Sequence, residues 1–259
     1  MLKLKTNQEV ASLEENAHLL AELLVEVALR AEPGVSTKRL DRLAEEWIRE
    51  AGAVPAFLGY RGYPATLCAS VNEEILHGIP SDRRVLEEGS ILSLDLGLLR
   101  NGYYADAAVT IPVGEVTSEA QRLMAATHGA LQEAMGMAKI GGRVSDLSNA
   151  IDNYVRRSGF RVVREFVGHG IGRELHEDPQ IPNFGPPGQG AKLWEGLVAA
   201  VEVMAKTDDE PAMIREDGWT AVTASGGLSA HYEEMVAVTA DGPQLLTQGV
   251  WEAYCRKRM

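Results

Sequence analysis

The hydrophobic pattern of the chain switches between helical and extended periodicity. Apolar residues recur at helical spacing over residues 8–30 and again over residues 37–52, where Ser36 or Thr37 can cap the second segment. A second pair follows, in which residues 118–139 are amphipathic and Ser145 caps a shorter helix that runs to residue 159. The pattern therefore predicts two helix pairs, one in each part of the chain.

Each predicted helix pair precedes a strand-rich stretch, the first over residues 66–113 and the second over residues 160–238. This order predicts an α+β fold of two related halves, roughly 1–113 and 114–259, with helices covering the sheet faces. No linker rich in Ser, Gly or Pro separates the halves. We therefore expect a single domain, 1–259, whose halves meet at a shared cleft.

A tight hairpin is predicted within the first strand-rich stretch. Strands over residues 91–99 and 103–111 are joined by Asn101-Gly102, a dipeptide that favours two-residue turns because both residues tolerate positive φ. Each strand carries one aspartate in an apolar setting, Asp95 and Asp106. In the register that a two-residue loop imposes, the two aspartates lie diagonally side by side on one face of the sheet.

Two buried carboxylates on one sheet face repel each other. One of them stays protonated unless a cation lies between them. The spacing of Asp95 and Asp106 therefore predicts either a metal site or a pair of carboxyl groups that share a proton. The alternative interpretation is one exposed aspartate and one that caps a turn.

A histidine flanked by glycines forms a second polar cluster. His169 lies in the segment GHGIGR over residues 168–173, whose glycine spacing matches neither the dinucleotide-binding fingerprint nor the phosphate-binding loop. Glycines at these positions let backbone or a ligand approach closely. Imidazole is a common neutral metal ligand, and a purely structural histidine is the alternative.

Two glutamates, Glu202 and Glu233, lie inside apolar strand segments. A glutamate in such a segment is costly to bury without a partner. Together with Asp95, Asp106 and His169 they form an oxygen-rich set of five ligands, which is enough for two divalent cations bridged by shared carboxylates.

Composition excludes several classes of partner. With 37 acidic and 25 basic residues the formal net charge is −12, which repels phosphate backbones, so we expect no nucleic-acid partner. Apolar runs are too short to span a bilayer, and residues 1–7 turn polar before a secretory signal can form. Only two cysteines, Cys68 and Cys255, are present, which favours a reducing compartment. We expect a cytoplasmic protein with no membrane partner.

These motifs resemble those of type I methionine aminopeptidases, and the resemblance covers nearly the whole chain. Besides the two aspartates it rests on residues 58–64 (LGYRGYP), 70–80 (SVNEEILHGIP), 168–173 (GHGIGR) and 229–233 (SAHYE). It implies the pita-bread (creatinase/aminopeptidase) fold, with two pseudo-symmetric halves and an antiparallel sheet covered by helix pairs. The implied enzyme is a cytoplasmic monomer that removes the initiator methionine from nascent polypeptide N-termini, at the ribosome, when the second residue is small.

The resemblance also implies the roles of the metal ligands. Asp95 would chelate one metal ion, His169 and Glu202 would chelate the other, and Asp106 and Glu233 would bridge both. The implied cofactors are two divalent ions per chain, and this ligand set accepts Mn, Fe, Co or Zn alike.

Further roles follow from the same resemblance. His77 and His176 would bind the scissile amide and act in catalysis without ligating metal, and Glu202 is a candidate to pass on a proton. Four residues would line the pocket for the methionine side chain, with ordinary core packing as the alternative: Tyr60, Tyr63, Cys68 and Trp219.

The chain departs from the family pattern at several positions. Val203 follows Glu202 where proline is usual, and Glu234-Met235 follows Glu233 where His-Thr is common, which is expected to add a negative charge close to the metal site. Leu175 replaces a frequent phenylalanine, and Ala107-Ala108 replace Thr-Ser.

Two other functions compete with this interpretation. One is a proline-specific peptidase of the same fold, which peptide substrates would distinguish. The other is a binding protein that keeps the fold and has lost catalysis, which is disfavoured because all five ligand positions are filled.

Overall fold

The computed structural model describes residues 2–247 and 249–258. The helices of this part of the chain are α1 (Asn7–Leu29), α2 (Thr37–Glu50), α3 (Ser118–Met135), α4 (Val144–Arg157) and α5 (Val250–Arg258), and a short 3₁₀ turn covers Tyr60–Gly62. Both predicted helix pairs are confirmed. The nine-residue α5, which buries only Val250 and Tyr254, was not predicted because its apolar pattern is short. None of the described helices has the length and apolar character needed to cross a bilayer.

Polar side chains fix where the helices begin. The Thr6 hydroxyl accepts from the backbone N–H of Glu9 while the Glu9 carboxylate accepts from the backbone of Thr6, which is a capping box. Ser36 caps α2 as predicted. The prediction that Ser145 caps the fourth helix is wrong, because Ser145 donates to the Gln189 carbonyl instead.

The strands are β1 (Val54–Pro55), β2 (Leu67–Val71), β3 (Glu74–Leu76), β4 (Ile91–Arg100), β5 (Tyr103–Pro112), β6 (Arg161–Val162), β7 (Val167–Gly170), β8 (Glu177–Pro182), β9 (Val198–Lys206), β10 (Ala212–Ile214), β11 (Ala221–Thr223), β12 (Ser229–Thr239) and β13 (Gly242–Leu245). The main sheet has the order β1-β4-β5-β12-β9-β7-β8, with β2, β13 and β6 attached to β4, β12 and β9. Its pairings are antiparallel, and a small sheet runs β10-β11-β3. The predicted α+β class with an antiparallel sheet is confirmed.

The two halves of the chain share the main sheet. β5 of the first half pairs with β12 of the second, while α1 packs on β4 and β5 and α3 packs on β12 and β9. All nine residues of β9 are buried, as expected of a strand covered on both faces. One hydrophobic core cluster draws on both halves. This arrangement suits the single domain that the sequence predicts, and the domain assignment itself stays a prediction.

The predicted hairpin register is confirmed. Arg100 pairs with Tyr103, and Asn101 and Gly102 adopt φ values of 54° and 79° in the turn between them. Asp106 consequently faces Gly97, and Asp95 faces Ala108 two positions along. The two aspartates therefore lie on the same face of the sheet.

Candidate active site

A cavity of about 400 Å³ opens over the centre of the main sheet. Every site residue predicted from the sequence contributes to its lining: Tyr60, Tyr63, Cys68, His77, Asp95, Asp106, His169, His176, Glu202, Trp219 and Glu233. Residues distant in sequence thus meet in one place, as the shared cleft between two halves requires.

The register of neighbouring strands brings the carboxylates together. Ala108 on β5 is the partner of both Asp95 on β4 and Glu233 on β12, and Glu233 in turn faces Glu202 on β9. Because side chains on one sheet face repeat every second residue, Asp106 points the same way as Ala108. Four carboxylates therefore project from adjacent strands into the cavity.

His169 on β7 completes the cluster. Its Nε2 lies 3.8 Å from Oδ2 of Asp106 and 3.9 Å from Oε1 of Glu233, and ligand atoms of these three buried residues all lie within 4.8 Å of one another. These separations leave room for an ion between the donors. Asp95 and Glu202 line the same cavity outside this tightest group of three.

Buried carboxylate oxygens without partners support a cation at this place. Within the described residues, Oδ1 of Asp95, Oδ1 of Asp106 and Oε1 of Glu233 are buried and accept no hydrogen bond. Such atoms carry a desolvation cost that a bound ion would remove. The hard oxygen donors and one imidazole fit a divalent cation of the Mn, Fe, Co or Zn type.

The electrostatics of the cluster agree with this fit. Burial raises the pKa of Asp95 to about 7. Burial, followed by repulsion from neighbouring carboxylates, raises the pKa values of Asp106 and Glu233 well above their ordinary range. Without an ion the cluster would hold protons, which is the situation expected for like charges on one sheet face.

Glu202 differs from the other carboxylates because its pKa is lowered. Burial raises the pKa of Glu202, but the neighbouring imidazoles, His231 first and then His169 and His77, outweigh that effect and leave the pKa below its usual value. Nε2 of His231 lies 3.5 Å from Oε2 of Glu202, and the ring is buried. No role was predicted for His231, although its spacing of two residues from Glu233 puts both on one face of β12.

His77 and His176 lie at the wall of the cavity. His77 has a left-handed backbone with φ of 57°, an uncommon conformation for a residue with a side chain, and its ring meets Phe166 and Trp219 edge-on. Burial lowers the pKa of His77, and burial followed by the charge of His169 lowers the pKa of His176 to about 4. Both imidazoles are therefore neutral near pH 7.

The ring of His176 is oriented by its neighbours. Its Nδ1 lies 2.8 Å from the Tyr60 hydroxyl, and the Tyr60 ring stacks against it. The ring centroids of His176 and His169 are 4.3 Å apart. His176 therefore stands directly beside the cluster of carboxylates.

An aromatic and thiol-lined recess extends the cavity beyond the carboxylates. Tyr63 and Trp219 meet edge-on with ring centroids 5.2 Å apart, and buried Cys68 is the β2 neighbour of Asp95. Phe57 and Phe166 also line this space and were not predicted. Phe57 fits because Gly97 has no side chain, as a Cβ there would lie 2.7 Å from the Phe57 ring.

The glycines beside His169 make room for neighbouring backbone. A Cβ on Gly168 would lie 2.7 Å from the Ala200 carbonyl oxygen, and a Cβ on Gly170 would lie 2.3 Å from that of Asp178. β7 therefore packs closely between β8 and β9, which brings His169 up to Asp106 and Glu233. Of the two possibilities that the sequence left open, close approach of backbone is the one observed.

The Glu234 side chain, where the family commonly has histidine, does not lie close to the metal site as the sequence predicted. Successive residues of a strand face opposite sides, so Glu234 points away from Glu233. Its carboxylate accepts hydrogen bonds from the Thr247 hydroxyl at 3.1 Å and the Gly249 N–H at 3.3 Å. The prediction that Glu234 adds a negative charge close to the metal site is therefore wrong, because the carboxylate faces the C-terminal segment on the other side of the sheet. Burial raises the pKa of Glu234 to about 7.

The other departures from the family pattern, at Val203, Leu175 and Ala108, leave the strands and the predicted ligands in place. β9 continues through Val203, which pairs with Tyr232, so the loss of the usual proline leaves Glu202 in register. Leu175 lines the cavity, and the small Ala108 lies between Asp95 and Glu233 in the sheet.

Comparison with known proteins places this geometry in a family. The profile of metallopeptidase family M24 matches residues 11–240. Methionine aminopeptidase of Clostridium acetobutylicum is 44% identical over 247 residues, which cover 95% of this chain and 99% of that protein. The crystal structure of methionine aminopeptidase from Thermotoga maritima superposes with a TM-score of 0.93 at 42% identity, covering 95% of this chain and 99% of that one.

The likeness extends further at the level of fold. Prolidase from Pyrococcus furiosus is 22% identical with a TM-score of 0.78, and the match covers 95% of this chain and 65% of that one. At this identity the likeness shows the fold alone. The predicted pita-bread fold is thereby confirmed. The chain belongs to metallopeptidase family M24 and, within it, to the methionine aminopeptidases.

Proposed function

We propose that this protein removes the N-terminal methionine from polypeptides whose second residue is small, using two divalent cations per chain. One observation carries the proposal: the cavity that holds the Asp106–His169–Glu233 cluster also contains the recess formed by Tyr63, Cys68 and Trp219. A thioether packs well against aromatic faces. A methionine side chain in that recess would present its peptide bond to the cluster.

Charge balance supports two cations rather than one. Asp95, Asp106, Glu202 and Glu233 carry up to four negative charges when ionised, and all are buried. Two divalent ions would neutralise that charge. The family resemblance assigns Asp95 to one ion, His169 and Glu202 to the other, and Asp106 and Glu233 to both. Cations held there would polarise the scissile carbonyl and make a water molecule acidic enough to attack near neutral pH.

The protein side chains would supply the remaining chemistry. The lowered pKa of Glu202 keeps this carboxylate ionised near neutral pH, so it would be the group free to accept a proton and pass it on. When the Tyr60 hydroxyl donates to Nδ1 of His176, the ring proton lies on Nε2, which is then free to donate to the substrate amide. His77 would donate from the other wall of the cavity, so that both histidines stabilise charge that develops on the substrate.

The proposed partners are nascent polypeptide N-termini emerging at the ribosome, with the enzyme acting as a cytoplasmic monomer. The net charge of −12 argues against direct contact with nucleic acid. Because this negative charge disfavours binding to RNA, we propose that the enzyme recognises the polypeptide N-terminus itself.

Peptide specificity tests the proposed function. We expect metal-loaded enzyme to release methionine from Met-Ala-Ser with a kcat/KM at least about 10-fold above that for Met-Leu-Ser, since a few misplaced methylene groups cost this much in a closed pocket. The measurement is free methionine by chromatography, with a Xaa-Pro dipeptide as the comparison substrate. Faster cleavage of the Xaa-Pro peptide would support the proline-specific alternative and overturn the proposal.

The two histidines are expected to behave as helpers rather than ligands. His77→Ala and His176→Ala should each lower kcat by about 10²- to 10³-fold, because each removes one donor to transition-state charge. Metal content, measured by elemental analysis, should stay at the wild-type value in both variants. A variant that loses metal would show that its histidine is a ligand.

A further inference from the structure

The segment before α1 lies across the loop that leads to His176. Lys3 and Lys5 of this segment and Glu9 in the first turn of α1 pair with Glu174, Glu177 and Arg173, respectively. Arg173 and Glu174 belong to the loop, and Glu177 is the first residue of β8. The N···O distances are 2.8 Å for Lys3–Glu174, 2.7 Å for Lys5–Glu177 and 3.2 Å for Glu9–Arg173. We call these three pairs the N-terminal clasp.

The central pair of the clasp is buried, whereas the outer pairs are exposed. The side chains of Lys5 and Glu177 are 6% and 1% accessible. Surface ion pairs such as Lys3–Glu174 contribute little to stability. The buried pair is therefore the part of the clasp that can hold the loop.

The Glu177 carboxylate binds both Lys5 and the backbone of the loop. Its Oε2 accepts from Nζ of Lys5, while its Oε1 accepts from the N–H groups of Arg173 at 3.0 Å and Glu174 at 3.2 Å. One carboxylate thus fixes the chain just before His176 and is itself fixed by Lys5. His176 is the residue immediately before Glu177, so its ring position depends on this anchor.

Two glycines make space for Lys5. A Cβ on Gly172 would lie 2.6 Å from Cε of Lys5 and 2.9 Å from Oε1 of Glu177. Gly196, at a positive φ of 84°, accepts a hydrogen bond from the Lys5 N–H at 2.7 Å, and a Cβ there would lie 2.3 Å from the Lys5 carbonyl oxygen. The loop at Gly172 and the turn before β9 at Gly196 therefore both pack closely against Lys5.

A buried ion pair is weak evidence for stabilisation, because the cost of removing two charges from water offsets much of their attraction. What such a pair does supply here is a defined position for the loop. The consequence lies at the far end of that loop, where the His176 ring meets Tyr60 and His169.

We propose that Lys5 and Glu177 are positioning residues for peptide-bond hydrolysis, which hold the His176 loop so that the imidazole reaches the substrate. The inference rests on the proposed function, because it requires His176 to contact the substrate. It assigns to the segment before α1 a part in catalysis, although none of the described residues 2–6 lines the cavity.

The primary test compares Lys5→Met and Glu177→Gln with wild type on Met-Ala-Ser. Each is expected to lower kcat by roughly 10- to 100-fold, since small displacements of a catalytic group are costly, with a smaller change in KM and unchanged metal content. Glu177→Gln keeps an oxygen for the two backbone N–H groups and loses the charge, so it gives an answer if Lys5→Met folds poorly. Lys257→Met is the matched control, because Lys257 forms an exposed pair with Glu26 at 2.8 Å and should retain wild-type kcat.

A double-mutant cycle separates positioning from a general loss of structure. In a His176→Ala background the Lys5→Met change should cost less than about twofold, because the group it positions is gone. An equal loss in both backgrounds overturns the proposal, as does wild-type kcat in both Lys5→Met and Glu177→Gln. If His176→Ala alone retains wild-type turnover, the role of His176 in the proposed function fails and the inference falls with it; a loss with His176→Ala but none with the clasp variants overturns the inference alone.

Discussion

Asp106→Asn is expected to lower metal content and methionine release together. Asp106 is the carboxylate nearest to His169, and its buried Oδ1 accepts no hydrogen bond within the described residues. The amide keeps the shape of the side chain but removes a negative charge from the place where both cations would be shared. Loss of groups that only support metal ligands already costs about 10- to 100-fold in affinity or activity, so loss of a bridging ligand should cost at least about 100-fold.

The measurement pairs elemental analysis of purified protein with kcat for Met-Ala-Ser. Glu234→Gln is the matched control, since it also neutralises a buried carboxylate in this sheet, but on the face directed at Thr247. The control should keep its metal and its turnover. An Asp106→Asn protein that retained both metals and full turnover would contradict the assignment of Asp106 as a ligand shared by two cations.

The contrast between Glu233 and Glu234 shows what strand periodicity alone can determine. The hairpin is predictable because Asn101-Gly102 fixes a two-residue loop, and the loop fixes which residues face each other. The prediction for Glu234 was wrong because closeness in sequence to Glu233 is not closeness in space. In a strand successive side chains point to opposite faces of the sheet, so the strand prediction for this segment already implied that Glu234 faces away from Glu233.

Long-range contacts were harder to predict. The five proposed ligands come from five strands whose order, β4-β5-β12-β9-β7, cannot be read from the local pattern. The resemblance to a family supplied the roles of the ligands, and the structure supplies the order of the strands. The clasp pairs Lys5 with Glu177 across 172 residues, and neither residue stands out by type or spacing, so only the structure brings them together.

His231 illustrates a further limit. A histidine in an apolar strand is more often structural, and the local signal for His231 is only its spacing of two residues from Glu233. Its neighbour Glu202 lies on another strand, and the register of β12 against β9 decides the contact.

Metal removal is expected to abolish activity completely and reversibly. Four buried carboxylates and His169 line the cavity, and cations held by them would make water acidic enough to attack a peptide bond near neutral pH. Without cations, burial and mutual repulsion raise the pKa values of Asp95, Asp106 and Glu233. The carboxylates would then hold protons in place of metal.

The most direct test of the account is therefore a titration of metal-free enzyme. Protein is treated with chelator, shown by elemental analysis to contain no divalent metal, and assayed for release of methionine from Met-Ala-Ser as Mn, Fe, Co or Zn is added back in steps. The account predicts no release from the metal-free protein and recovery that accompanies binding of up to two ions per chain. Full turnover by protein with verified absence of metal would contradict it.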